Sequence, residues 1–209
     1  MKKLAIVGLL GTVLCGNAMG AEFDPKFYVG AEAQYNKLKK GQNFVDPANQ
    51  KSMIRKNTPG AGVFVGSRLT ENLGAEVGYA QLGKSNKTFQ KGTTALSNGT
   101  MNVKMHNIYV DALGYLPVAD EVDVIGAVGV GRLTTKTQLK AANGTSLPIT
   151  TLANVQANDA KSKAGIRLGL GAQYKFDTNI GVRAMVRHQK GNKVVKNVNS
   201  ANVGLFYQF

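Results

Sequence analysis

Apolar side chains in this chain recur at every second position, in short runs separated by polar stretches. A period of two belongs to a strand with one apolar face. It is clearest at the end of the sequence, where Asn199, Ala201, Val203, Leu205, Tyr207 and Phe209 share one side and Ser200, Asn202, Gly204, Phe206 and Gln208 share the other. Phe27 to Lys37 alternates as cleanly, with Phe27, Val29, Ala31, Ala33 and Tyr35 opposite Tyr28, Gly30, Glu32, Gln34 and Asn36. The same period predicts strands over Gly60 to Leu69, Leu73 to Leu82, Met101 to Leu116, Val122 to Arg132, Lys163 to Phe176 and Ile180 to His188.

Three short connections, Thr70-Glu71-Asn72, Pro117 to Glu121 and Asp177-Thr178-Asn179, alternate with longer polar segments over Lys37 to Thr58, Gly83 to Thr100 and Thr134 to Lys161, and with a basic loop after His188. Strands of about 9 to 11 residues, joined alternately by short turns and longer loops, are the pattern of an up-and-down barrel in an outer membrane. Met101 to Leu116 admits two parities. The preferred one turns Ile108, Val110 and Ala112 outward and keeps Asn107 and Asp111 inside, because a carboxylate in the bilayer is expensive. A bulge near Gly114 would then turn Tyr115 outward. Arg132 falls outward at the upper rim, where a lipopolysaccharide phosphate can meet it.

Alternation alone does not say which face meets lipid, since a soluble barrel carries the same stripes with the apolar side inward. The opposite face decides. It bears Gly62, Gly66, Gly74, Gly78, Gly129, Gly131, Gly169 and Gly171 with Glu32, Glu76, Arg167 and Arg183, which suits a crowded polar lumen better than a surface in water. Glu32, Arg68, Glu76, Asp111, Arg167 and Arg183 are expected to pair with one another and fill an interior that eight strands leave only wide enough for side chains. Any conductance should then be small.

Two stretches resemble a known family. Gly60 to Gly83, with Gly74, Glu76, Gly78 and Tyr79, is similar to the second and third strands of the OmpA-type transmembrane domain. That resemblance places Glu76 in an internal ion-pair cluster, with Arg68 as its partner across the hairpin. Asn202, Gly204, Tyr207 and Phe209 resemble the C-terminal signal that the barrel-assembly machinery recognises. The resemblance implies an all-β, eight-stranded antiparallel transmembrane barrel, integral to a bacterial outer membrane and structural or surface-presenting in role. Many members carry a further peptidoglycan-binding domain; this sequence ends at the eighth strand, so that activity is not expected of it.

Composition adds an address and a charge. Lys2 and Lys3 precede an apolar run from Leu4 to Leu14, and Ala18 with Gly20 form a small-residue cleavage site, so residues 1–20 read as a secretory signal and 21–209 as the barrel domain. The lone Cys15 falls in that signal, which leaves no thiol for a disulfide in the domain. Across the chain 26 Lys and Arg stand against 12 Asp and Glu. Lys39, Lys40, Lys51, Arg55, Lys56, Lys84, Lys87, Lys91, Lys136, Lys140, Lys190, Lys193 and Lys196 all map to predicted outer loops or their bases. Such a field favours polyanions: lipopolysaccharide, or acidic glycans of a host or matrix in an adhesin-like role. Nucleic acid is disfavoured, because no recognised fold or interleaved aromatics accompany the charge.

His106 and His188 are the only candidates for general-base chemistry. Small-barrel lipid A deacylases resemble this architecture and use a His with a Ser two positions on; here His188 is followed by Gln189 and Lys190. No catalytic residue, cofactor or metal set is therefore expected. A low-conductance solute channel and a lipid A-modifying enzyme remain as rivals to the structural reading.

Overall fold

The computed structural model describes residues 25–40, 57–90, 98–141, 160–191 and 195–209; the secretory signal read at residues 1–20 lies outside them. Eight strands follow in order: β1 (Lys26–Lys40), β2 (Asn57–Arg68), β3 (Leu73–Gln90), β4 (Asn98–Ala119), β5 (Val122–Ala141), β6 (Ala160–Lys175), β7 (Ile180–Lys190) and β8 (Val195–Gln208). Each pairs antiparallel with the next, and β8 closes on β1. Closure is completed at the rim, where the Phe209 amide donates to the Phe27 carbonyl at 2.8 Å.

Register fixes the shape. From Lys37 on β1 the paired residues run through Asn199, His188, Leu168, Val128, Ala112, Ala75 and Ser67, and return to β1 at Phe27, ten residues lower. A stagger of that size around eight strands tilts them by roughly 40° from the barrel axis.

The apolar stripe of every strand faces outward. Val29, Val128, Leu168 and Leu205 are 45%, 55%, 50% and 60% exposed, as a lipid-facing surface must be. Phe27, Tyr174, Phe176, Tyr207 and Phe209 ring the end that carries the short turns, and Tyr35 and Tyr79 lie exposed toward the other end. The rings stack edge to face in pairs, Tyr174 with Phe176 at 5.2 Å and Tyr207 with Phe209 at 5.3 Å.

Three expectations need correction. Tyr115 is buried, because β4 keeps its parity through Gly114 and bulges only between Pro117 and Ala119. Where they are described, the long polar segments are strand. β3, β4 and β5 run 18, 22 and 20 residues, about twice what crosses a bilayer. Hence Lys39 and Lys40 lie on β1, Lys84 and Lys87 on β3, Lys136 and Lys140 on β5, Lys190 on β7 and Lys196 on β8 rather than in loops. Lys51, Arg55, Lys56, Lys91 and Lys193 lie outside the described residues.

Above Tyr35 and Tyr79 the polarity of the wall inverts. Lys37, Lys39, Lys84, Lys104 and Lys136 are exposed there, while Leu38, Leu82, Val103, Met105, Leu133, Val195 and Val198 are buried inside. The outer end thus has the oil-in, charge-out pattern of a protein in water. Within the membrane the pattern is reversed.

Candidate functional site: the lumen and the cationic outer end

Inward positions make three levels. At the turn end an apolar cluster of Tyr28, Phe64, Leu113, Tyr115, Ile125, Ala127, Met185 and Phe206 fills the bore. Glycines make room for its rings and for Tyr109 above it. A Cβ on Gly78 would collide with the Tyr109 ring directly opposite on β4, and one on Gly66 with the Tyr28 ring opposite on β1. The glycine-laced hairpin is a packing device in which large rings lie flat across small neighbours.

Above this floor lies a charge network. Glu76 on β3 accepts from Arg183 at 2.5 Å, Arg187 at 3.4 Å, Tyr28 at 3.1 Å and Tyr109 at 3.4 Å. Glu32 on β1 accepts from Arg187 at 2.8 Å, Gln34 at 2.6 Å and Asn202 at 2.9 Å. Asp111 on β4 accepts from Arg167 Nε at 2.9 Å, and the Arg167 guanidinium lies 3.6 Å above the Tyr109 ring. Arg183 is also surrounded by Tyr28, Phe64 and Phe206, their ring centroids 5.0 to 5.4 Å away. Three carboxylates meet three guanidiniums, all buried, so the interior is neutral as a unit. Charges in so dry a space hold only when paired and hydrogen-bonded.

Arg68 does not take the place the resemblance implies. Its guanidinium reaches Asp123 at 2.8 Å and the Glu71 carbonyl, at the turn-end mouth, while Glu76 is served by β7. The strand tilt explains this: Arg68 lies opposite Gly74, one turn-ward step from Glu76, and its long side chain snorkels to the mouth. Gln173 and Lys175 join Asp123 at 2.8 and 3.5 Å. Arg187, Asp123, Tyr28 and Tyr109 were absent from the expected ion-pair set although parity turns all four inward. The reason is that parity locates side chains on a face without saying which strands bring them level.

Asn202 and Gly204 point into the lumen, where Asn202 serves Glu32 and a Cβ on Gly204 would meet the Ala31 carbonyl at 2.5 Å. Tyr207 and Phe209 point to lipid. His106 stacks on Tyr79 at 6.0 Å, and His188 Nδ1 lies 2.5 Å from Asn199 Oδ1. Among the described residues no group of three His, Cys, Asp or Glu is placed to hold a metal.

Charge on the rest of the molecule is segregated. The described carboxylates outside the lumen, Glu71, Asp120, Glu121 and Asp177, all sit in the short turns. The described outer end carries Lys37, Lys39, Lys84, Lys104, Arg132, Lys136, Lys163, Lys190 and Lys196 exposed, with no described acid among them.

The family model described as "Outer membrane protein beta-barrel domain" matches residues 6–209. Outer membrane protein A of Yersinia pseudotuberculosis is 28% identical over 218 aligned residues, covering 100% of this chain and 56% of that protein, so the chain spans about half the length of this relative. OprG of Pseudomonas aeruginosa has a similar fold, with a TM-score of 0.58 at 10% identity over 90% of this chain and 98% of its own. Neisserial surface protein A has a TM-score of 0.55 at 15% identity over 88% and 97%. Ail of Yersinia pestis, in a structure with the heparin analogue sucrose octasulfate, has a TM-score of 0.51 at 15% identity over 90% and 99%.

Proposed function

The chain belongs to the outer membrane protein beta-barrel domain family and is an integral outer-membrane barrel, and from that premise we propose that its work is structural and surface-presenting, its cationic outer end contacting lipopolysaccharide or acidic glycans in an adhesin-like role. One observation carries this reading. Every described carboxylate is confined to the lumen or the short turns, while the opposite end is lysine after lysine. A surface of one sign draws polyanions and repels polycations. The fold neighbour Ail was crystallised with a heparin analogue, which is a ligand of the class proposed here.

The signal at residues 1–20 would bring the chain to the periplasm, and Asn202, Gly204, Tyr207 and Phe209 would present it to the barrel-assembly machinery. A channel role is disfavoured because paired charges and buried apolar side chains fill the bore. An enzymatic role is disfavoured because His106 stacks on the Tyr79 ring and His188 meets the Asn199 amide oxygen, so neither imidazole is described with a nucleophile's hydroxyl in hydrogen-bond reach.

The test is binding of a sulfated oligosaccharide to the refolded barrel across a salt series. Binding should be present at low ionic strength and weaken steeply as salt rises, since exposed charges more than about 10 Å apart are screened at 0.1 M. A barrel that ignores the sulfated sugar at low salt, or binds its uncharged counterpart equally well, refutes the reading.

A further inference from the structure

The lysines of the outer end are not evenly laid out. On one side of the barrel they are spaced by asparagine: Lys39 and Lys190 are separated by Asn197, and Lys37 and His188 by Asn199, in two adjoining cross-strand rows. On the other side Lys84, Lys104 and Lys136 stand directly opposite one another on β3, β4 and β5, with no spacer. Like charges facing each other across strands are destabilising, and side chains so paired root about 5 Å apart. No described carboxylate lies on this face to relieve them, and all three lysines are exposed.

One local feature creates the row. Below Gln81 the outward residues of β3 are odd-numbered, and Lys84 would point into the barrel if the phase continued. The register slips between Gln81 and Gly83, so Leu82 and Gly83 are both buried and Lys84 emerges opposite Lys104. Gly83 has φ +110, in the left-handed region that favours glycine, and a Cβ there would meet the Pro59 carbonyl at 2.6 Å. Thr58 Oγ1 and Asn36 Nδ2 donate to the Leu82 carbonyl at 2.7 and 3.3 Å, which holds the bulge in place. A bulge that only glycine accommodates without strain thus sets a third cation beside two others.

The direction and height of the row identify its ligand. The lysines face sideways, on the same outward face that carries His106, Ile108 and Val110 lower on β4. Lys104 is four residues above Ile108, which at roughly 3.3 Å per residue and a tilt of about 40° puts it about 10 Å above the lipid-facing wall. Arg132, opposite Ile108, completes the patch from below; its Nε donates to Ser162 Oγ at 2.6 Å and its side chain is exposed. A ligand arriving from the medium meets the top of the barrel, whereas a neighbour in the outer leaflet meets this face.

Resting on the reading of the outer end as a polyanion surface, we propose that Lys84, Lys104 and Lys136, with Arg132 below them, form a lateral site for the phosphorylated sugar headgroup of lipopolysaccharide. Three ammonium groups spread over about 10 Å match two phosphates on one headgroup better than one.

Refolded full-chain barrel in detergent is titrated with bisphosphorylated lipid A, monophosphorylated lipid A and phosphatidylglycerol, and bound lipid is counted by native mass spectrometry. The Lys104→Gln/Lys136→Gln pair should weaken bisphosphorylated lipid A on the order of thirtyfold, from the usual contribution of a basic residue at an anionic lipid surface. The Lys39→Gln/Lys190→Gln pair, from the asparagine-spaced side, should change it less than about threefold on the same scale. Wild-type barrel should prefer the bisphosphorylated lipid over the other two. Equal losses in both variant pairs, or no preference between the two forms of lipid A, overturn the site; both variants are scored only after heat-modifiable migration shows folded barrel. Sulfated oligosaccharide binding by the wild type is read in parallel. If it persists while lipid A selectivity is absent, the lateral site fails and the wider reading stands; if it is absent while lipid A selectivity persists, the lateral site stands and the acidic-glycan part of the wider reading fails.

Discussion

Glu76 is the residue on which most of the interior depends, because it takes hydrogen bonds from two arginines on β7 and from two tyrosines on β1 and β4. Replacing Arg183 by Met leaves that carboxylate short of its nearest partner in a dry space, which should cost about 3–5 kcal/mol. Replacing both, Arg183→Met with Glu76→Gln, should cost clearly less than the sum of the singles, and urea unfolding of the barrel in lipid vesicles measures all three. Additive losses would mean that the two side chains do not depend on each other. The glycines give a second contrast. Gly78→Val drives a side chain into the Tyr109 ring and should destabilise by about 1–3 kcal/mol, as overpacking does. Gly114 faces lipid with no atom within 4 Å of an added Cβ, so Gly114→Ala should stay within about 0.5 kcal/mol of wild type. At this scale the alternation turned Glu32, Glu76, Asp111, Arg167 and Arg183 inward, and all five are buried, Asp111 on the strand with two possible parities included; it did not place Lys84, which a register slip carries outward, or Lys163, which is exposed. It did not tell that Arg68 leans to Asp123 while Arg187 reaches Glu32 and Glu76, because partners in a tilted barrel are chosen by stagger, and stagger is a property of all eight strands together.

The elements show the same limit in another form. Strands were legible where one side met lipid and the other a polar bore, since that contrast produces a clean period of two. Above the membrane both sides change character, and the polar composition of Gly83 to Thr100 and Thr134 to Lys161 reads as loop although β3, β4 and β5 continue well into it. Continuation of an established register, one backbone pair after another, overrides local propensity there. The inward residues that support the continuation, Leu82, Val103, Met105 and Leu133, are too widely scattered among lysines and asparagines to signal a core by themselves. They set an expectation for this part of the molecule. Leu133→Asn places an amide among buried apolar side chains and should loosen the outer ends of β4 and β5, so amide exchange should accelerate at Val103 to Met105 and at Thr134 to Lys136. The paired segment around Val110 and Val130, held between lipid and the charge network, should keep its protection. Uniform acceleration along both strands would show that the outer sheet is not a separate unit of stability.

For the molecule as a whole, the vertical order of the interior decides whether anything crosses it. From the turn end inward come an aromatic floor, a neutral set of ion pairs, and a region of Leu38, Leu82, Val103, Met105, Leu133, Val195 and Val198, all buried. Ion pairs can exchange partners and admit water; the outer region offers it fewer polar groups, since Asn36, Thr58, Asn107, Thr135 and Gln189 are buried there among the apolar side chains. The outer seal therefore belongs to the apolar region rather than to the charges. In planar bilayers the wild-type barrel should show little or no steady current. The pair Arg183→Ala with Arg187→Ala empties part of the charged level, yet it should remain nearly as silent as long as the layer above is intact. Adding Met105→Ser and Leu133→Ser to that pair, together with Phe64→Ala and Phe206→Ala to open the aromatic floor, should raise single-channel conductance well above any of these sets alone, because only then is a path continuous from end to end. Steady conductance from the arginine variant by itself would place the seal at the ion pairs, and would return the low-conductance channel to consideration as the role of this barrel.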